Sequence, residues 1–177
     1  SKLNNGQVWL GDSAGAIINI ANNETGISLR YRTENARGFV SSIAIENGQV
    51  IASADHYGAV YHEYKQGSWT EQSYPAQAYS VGTHGVAINS DWAYLAQEDR
   101  RKVVAVNTVG GLTSENVVFN NIAVEHLITT GSLVVATVGN QVHLAAKDTI
   151  GSDTVLTGQV DLAPGEDIIS IIAHGET

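Results

Sequence analysis

The sequence predicts an all-β fold made of repeated four-stranded units, and three observations support this. The first is composition. The chain has 177 residues, 43 % hydrophobic and 15 % charged, with 18 Gly and 2 Pro. This is a globular balance, long enough for one domain with a sizeable core. Val, Ile and Thr are abundant where helix formers are sparse, which favours strands joined by tight turns. The second is the stretch Ile43 to Tyr64, IAIENGQVIASADHYGAVYHEY, which reads as strand, turn, strand, turn, strand. Asn47-Gly48 separates its first two apolar runs, and Asn-Gly is the strongest short hairpin signal because both residues tolerate positive φ. The third is recurrence. Ile45, Ile88 and Ile128 lie 43 and 40 residues apart, and Ile17, Val60, Val103 and Val142 lie 43, 43 and 39 apart. A period of about 40–45 residues with four short strands per unit is the pattern of a β-propeller blade. One blade cannot bury its own faces, so neighbouring blades must stack.

Taken in order, Gln7 to Gly11 is a short apolar strand after Asn5-Gly6, Asp12 to Gly15 a turn, and Ala16 to Ile20 the return strand. Ile27 to Thr33 alternates Ile, Leu and Tyr with Ser and Arg, the period-two pattern of a strand with one buried and one wet face. Phe39 to Ile45 opens the second unit, whose outer strand is Trp69 to Tyr74. In the third unit the strands are His84 to Ile88, Trp92 to Gln97, Lys102 to Asn107 and Leu112 to Phe119. The fourth contributes Val124 to Ile128, Leu133 to Thr137, Gln141 to Ala146 and Thr154 to Val160. After Pro164-Gly165, one more strand is expected at 167–173.

The run Ile-Ala-Ile, then Val-Ile-Ala-Ser-Ala-Asp, then Gly-Ala-Val-Tyr within Phe39 to Tyr64 resembles the first three strands of a WD40-type propeller repeat, with its aspartate-bearing hairpin; Val81 to Asn107 is similar. In place of the family's Trp-Asp, the third strands end in Asn19-Ile20, Glu63-Tyr64, Val106-Asn107 and Ala145-Ala146. The resemblance implies a β-propeller of about four four-stranded WD40-like blades. The chain is expected to form a single propeller or half-propeller domain over 1–177, with repeats at about 1–34, 35–78, 79–121 and 122–163 and a closing strand at 167–173.

The first unit opens on a second strand and the chain ends on a first strand. The C-terminal strand is therefore expected to complete the first blade, in cis or in trans, because pairing hides two edges that otherwise invite aggregation. A closed four-bladed monomer, a two-copy ring and a larger propeller completed by another segment all achieve this. The lack of Met and the start at Ser1 fit an initiator Met removed, a tag scar or an excised fragment.

The formal net charge of −9 repels phosphate backbones, so nucleic acid is not expected as a partner. The one basic cluster, Arg100-Arg101-Lys102, reads as a solvated hairpin tip. No stretch approaches the ~20 apolar residues of a membrane span. The absence of Cys rules out a disulfide framework and fits a reducing compartment such as the cytoplasm.

Gly11-Asp12-Ser13-Ala14-Gly15 matches the Gly-x-Ser-x-Gly nucleophile elbow, which requires a helix after the serine. Here a strand follows, so the match reads as a hairpin tip, and no catalytic residue is assigned. The six histidines, His56, His62, His84, His126, His143 and His174, show no zinc-binding spacing. His62 and His143 are expected to pack between blades. His84 and His126 lie at the starts of first strands, which line a propeller's central channel, and Glu125, Glu166 and Asp167 lie at comparable positions. Such a ring could hold a divalent cation, though a water-filled polar channel needs nothing more. The candidate binding residues are therefore His84, Glu125, His126 and Asp167 in the channel, with Tyr57 and Tyr79 in connections suited to protein or sugar recognition. No metal or cofactor is assigned. The leading expectation is a non-enzymatic protein-interaction or structural scaffold in a larger assembly, joined to a protein partner, a second copy or another propeller segment. The alternatives are a metal-dependent hydrolase or lyase working in the channel, and a carbohydrate-binding lectin.

Overall fold

The computed structural model describes residues 2–4, 7–14, 16–23, 26–32, 40–46, 48–53, 59–65, 68–74, 81–89, 91–97, 101–109, 115–130, 132–146 and 155–171. They form sixteen strands and, among the described residues, no helix. The first sheet holds β1 (Lys2–Asn4), β2 (Gln7–Gly11), β3 (Ile17–Asn23) and β4 (Gly26–Arg32). The second holds β5 (Ile43–Glu46), β6 (Gln49–Ser53), β7 (Ala59–Lys65) and β8 (Ser68–Tyr74). The third holds β9 (Val81–Asn89), β10 (Trp92–Gln97), β11 (Lys102–Asn107) and β12 (Glu115–Phe119). The fourth holds β13 (His126–Thr129), β14 (Leu133–Val138), β15 (Gln141–Ala146) and β16 (Val155–Gln159). Each sheet is an antiparallel meander in sequence order.

The turns follow from local chemistry. Glu46 pairs with Gln49 across Asn47-Gly48, and Gly48 has φ 80°, the left-handed conformation that the Asn-Gly signal anticipates. At the tip between β2 and β3, Asp12 Oδ1 accepts from the N–H groups of Ala14 and Ala16 at 2.9 and 2.8 Å. This is an Asx turn leading into a strand, so the Gly-x-Ser-x-Gly match is a hairpin, with Ser13 exposed.

The first strands of the sheets lie side by side, β1 by β5, β5 by β9 and β9 by β13. Between sheets the side chains form three cores. Trp9, Ile17, Ile43, Val50 and Ala52 pack the first sheet on the second. Ile51, Tyr61, Ile88, Leu95 and Val104 pack the second on the third. Tyr94, Val103, Phe119, Leu127 and Val134 pack the third on the fourth. The third sheet is buried on both faces: on β10, Ala93 and Leu95 join one core while Tyr94 and Ala96 join the other. Alternation that sends every side chain into an apolar layer produces a continuous hydrophobic run, here Ala-Tyr-Leu-Ala. Each fully buried Leu, Val or Ile contributes about 1.5–3 kcal/mol, so these interfaces tie the sheets into one body.

The C-terminal expectation is corrected. Residues 167–171, the described part of the expected closing strand 167–173, pair with no sheet. The first sheet already has its first strand, because β1 pairs with β2 through Lys2↔Trp9, Leu3↔Val8 and Asn4↔Gln7. That pairing occupies the backbone edge the tail was expected to seek. The tail turns instead at 163–166, where Glu166 Oε2 accepts from the Ala163 N–H at 2.9 Å and Gly165 adopts φ 86°.

Candidate functional site

The repeat register builds a cavity between the first strands. Ile43, Val86 and His126 each precede by two residues the isoleucine that recurs as Ile45, Ile88 and Ile128, so they occupy one station on one strand face. All three line a cavity of about 250 Å³. Gly11 lines it from the first sheet, Val40, Ser41 and Ser42 from the segment that enters β5, Leu127 and Ile128 from the fourth sheet, and Ser170 and Ile171 from the tail. At this station two repeats carry an aliphatic residue and the last carries an imidazole.

That imidazole holds the tail. His126 Nε2 is 2.8 Å from the Ile168 carbonyl oxygen. A carbonyl only accepts, so Nε2 carries the proton and donates. The serine wall is bonded as a unit. The Oγ atoms of Ser41 and Ser53 are 2.6 Å apart, the Ser42 N–H donates to Ser53 Oγ at 2.8 Å, and the Ser53 N–H donates to the Ser42 carbonyl at 2.9 Å. Ser53 is fully buried, so this network fixes the backbone that enters β5. Thr129 Oγ1 donates to the Ile88 carbonyl at 2.8 Å and joins β13 to β9 at the cavity's edge.

The sequence-predicted residues fall as follows. His126 lines the cavity. Glu125, its neighbour, is exposed; its Oε2 accepts from the Gly139 N–H at 2.8 Å, at the β14–β15 hairpin. Asp167 is exposed on the tail. His84 lies on β9, two residues before the station of Val86, and its side chain is outside the described residues, as are Tyr57 and Tyr79. Among the described residues, no three His, Cys, Asp or Glu side chains come together as a metal site. Sequence reasoning missed Ser41, Ser42, Ser53 and Ile171. A spacing signal existed only for the station itself, two residues ahead of the recurring isoleucine.

Two titratable groups are perturbed away from the cavity. His143, on β15, is buried with its ring edge-on to Phe119 at 6.2 Å between centroids, and burial pushes its pKa down. The Tyr61 hydroxyl is buried without an aligned hydrogen bond, among polar atoms of Thr108, Gln49 and Glu63. Burial, with the Glu63 charge adding to it, pushes its pKa up to about 12.

Solved structures share this architecture. A chain of a nidogen–laminin complex superposes with TM-score 0.65 at 14 % identity, covering 89 % of this chain and 63 % of that one. The virginiamycin B lyase of Staphylococcus aureus superposes with TM-score 0.63 at 16 % identity, covering 92 % and 55 %. PorZ, a bacterial surface component of the type-IX secretion system of Porphyromonas gingivalis, gives TM-score 0.58 at 11 % identity, covering 90 % and 20 %. The fold is of the β-propeller type. The chain spans less than two thirds of the length of each of these structures. No family model matches the chain, and no curated protein matches it.

Proposed function

We propose that the chain is a non-enzymatic interaction scaffold, four WD40-like blades presenting a central cavity to a protein partner within a larger assembly. The observation that carries this reading is the His126–Ile168 contact, in which the cavity's imidazole holds a main-chain carbonyl. Glu125 and Glu166 each likewise accept from a backbone N–H. Side chains committed to polypeptide backbone suit a surface that receives polypeptide. Two of the similar structures belong to a protein complex and a secretion-system surface component, which supports an assembly role.

The second reading is a channel-centred, metal-dependent hydrolase or lyase, favoured by the likeness to the lyase structures. Thermal melting with chelator and with added Mg²⁺, Mn²⁺ or Zn²⁺ separates the two. A resident cation at a hundred times its Kd adds about 2.7 kcal/mol and raises Tm by about 5 °C or more. The scaffold reading expects no such rise, and a rise of that size overturns it. Its positive test is a stoichiometric protein complex weakened by His126→Ala but kept by Val117→Ser, a substitution at an exposed site on β12.

A further inference from the structure

We infer that the face of the first strands bordering the cavity is a binding groove for an extended polypeptide segment, and that residues 167–171, which wall the cavity, lie on that face as its cis-bound, exchangeable occupant. This deepens the scaffold reading and rests on it. The incoming ligand is a segment of another protein with the tail's chemistry: extended, rich in β-branched apolar residues, and free of charge where Ser170 and Ile171 sit.

The tail lies against the first strands as one wall of the cavity, and its described residues belong to no sheet. Ser170 and Ile171 line the cavity, and the Ile168 carbonyl is held by His126. Yet 167–171 form no ladder with any strand, unlike the body, where every strand is paired. The run 163–167 that leads into it is exposed throughout. Ile169 is 88 % exposed in a segment whose neighbours Ile168 and Ile171 are half-buried. A strand bonded along its length is released only with the sheet, but a segment that forms no ladder can be released without one. The groove reads main chain through His126 and shape through Val40, Val86 and Leu127, features that any segment of like pattern satisfies.

A tail bound in cis lowers the apparent affinity for an incoming segment in proportion to the fraction of molecules with the groove open. The test uses the full chain and a fluorescent synthetic peptide of residues 160–171. Ile171→Asp in the chain weakens cis occupancy and is expected to tighten peptide binding about tenfold over the unaltered chain. Adding His126→Ala to that chain is expected to weaken binding up to about tenfold, the upper value of one net hydrogen bond. Peptide that binds neither chain, or binds with no dependence on both substitutions, overturns the inference. A second measurement avoids altering the groove. The chain has no cysteine, so Ile169→Cys accepts one spin label on an exposed position. Excess peptide is expected to narrow the label's spectrum further, as the backbone that carries it leaves the groove. An unchanged spectrum overturns the proposal, as does a label immobilised only in a concentration-dependent dimer, which assigns the groove to a second copy. A large cation-induced rise in Tm defeats the scaffold reading, whereas peptide failure without such a rise defeats only the exchange.

Discussion

Gly11 and Val40 meet across the junction of the first two sheets so closely that a β-carbon on Gly11 would overlap the Val40 side chain. The contact is braced by the Val40 N–H, which donates to the Asp12 carbonyl at 3.2 Å. Gly11→Ala is therefore expected to destabilise the chain by about 1–3 kcal/mol, the usual cost of overpacking. Combining it with Val40→Ala should restore part of the loss, because the residues touch and their effects are not additive. Urea unfolding of the two single variants and the double variant measures this coupling, and strict additivity would contradict the contact.

Ser53 holds the backbone that forms one cavity wall. Ser53→Ala removes the acceptor of the Ser42 N–H and the partner of Ser41 Oγ in a buried place. The expected cost is about 1–3 kcal/mol, since a buried donor is left without its partner. Faster amide exchange at Ser42 should accompany the loss; unchanged exchange and stability would show that the network carries no energy.

His143 predicts the acid side of the stability profile. Its folded pKa lies below its ordinary value of 6.5, so the unfolded chain binds the proton more tightly. Its contribution is complete above pH 6.5 and is lost as the pH falls below it. His143→Leu should flatten the slope of unfolding free energy between about pH 6.5 and 5. An equal slope in both proteins would place the titration elsewhere.

Tyr61 predicts the alkaline side. Its folded pKa of about 12 lies above the ordinary 10, so the folded state favours the protonated phenol. That stabilisation is complete below pH 10 and is lost as the pH rises towards 12. Among the seven tyrosines, the one removed by Tyr61→Phe should be among the last to give phenolate absorbance. A Tyr61 that ionises with the main group of phenols would show its hydroxyl open to water.

Much of the fold was legible because it is local. Gln7–Gly11, Trp92–Gln97, Lys102–Asn107 and Gln141–Ala146 are strands at their expected bounds, since hairpin turns and period-two alternation lie within a few residues of one another. The first strand, Lys2–Asn4, was missed, although its hairpin signal was present. Asn4 pairs with Gln7 across Asn5-Gly6, the same dipeptide that marks the β5–β6 turn, but a three-residue polar strand has no periodicity of its own. That omission generated the expectation of a closing strand. At the cavity, His126 was legible as a residue at a first-strand start; Glu125, read beside it, is exposed and outside the cavity's lining. The same reasoning grouped His84 with His126, whereas the register aligns His126 with Val86 and Ile43.

By itself, the chain's order of residues determined four units, their turns and the strands that alternate, because these depend on neighbours in sequence. It also marked the station of Ile43, Val86 and His126 through the recurring isoleucine. Only the tertiary structure decided what faces that station. The serine wall of Ser41, Ser42 and Ser53 and the seat of Ile168 on His126 join residues 12 and 42 apart, and burial and backbone pairing at that range leave no local pattern. The tail's own apolar run reads as a strand in sequence; its described residues, 167–171, join no sheet, and β1 holds the edge they were expected to join.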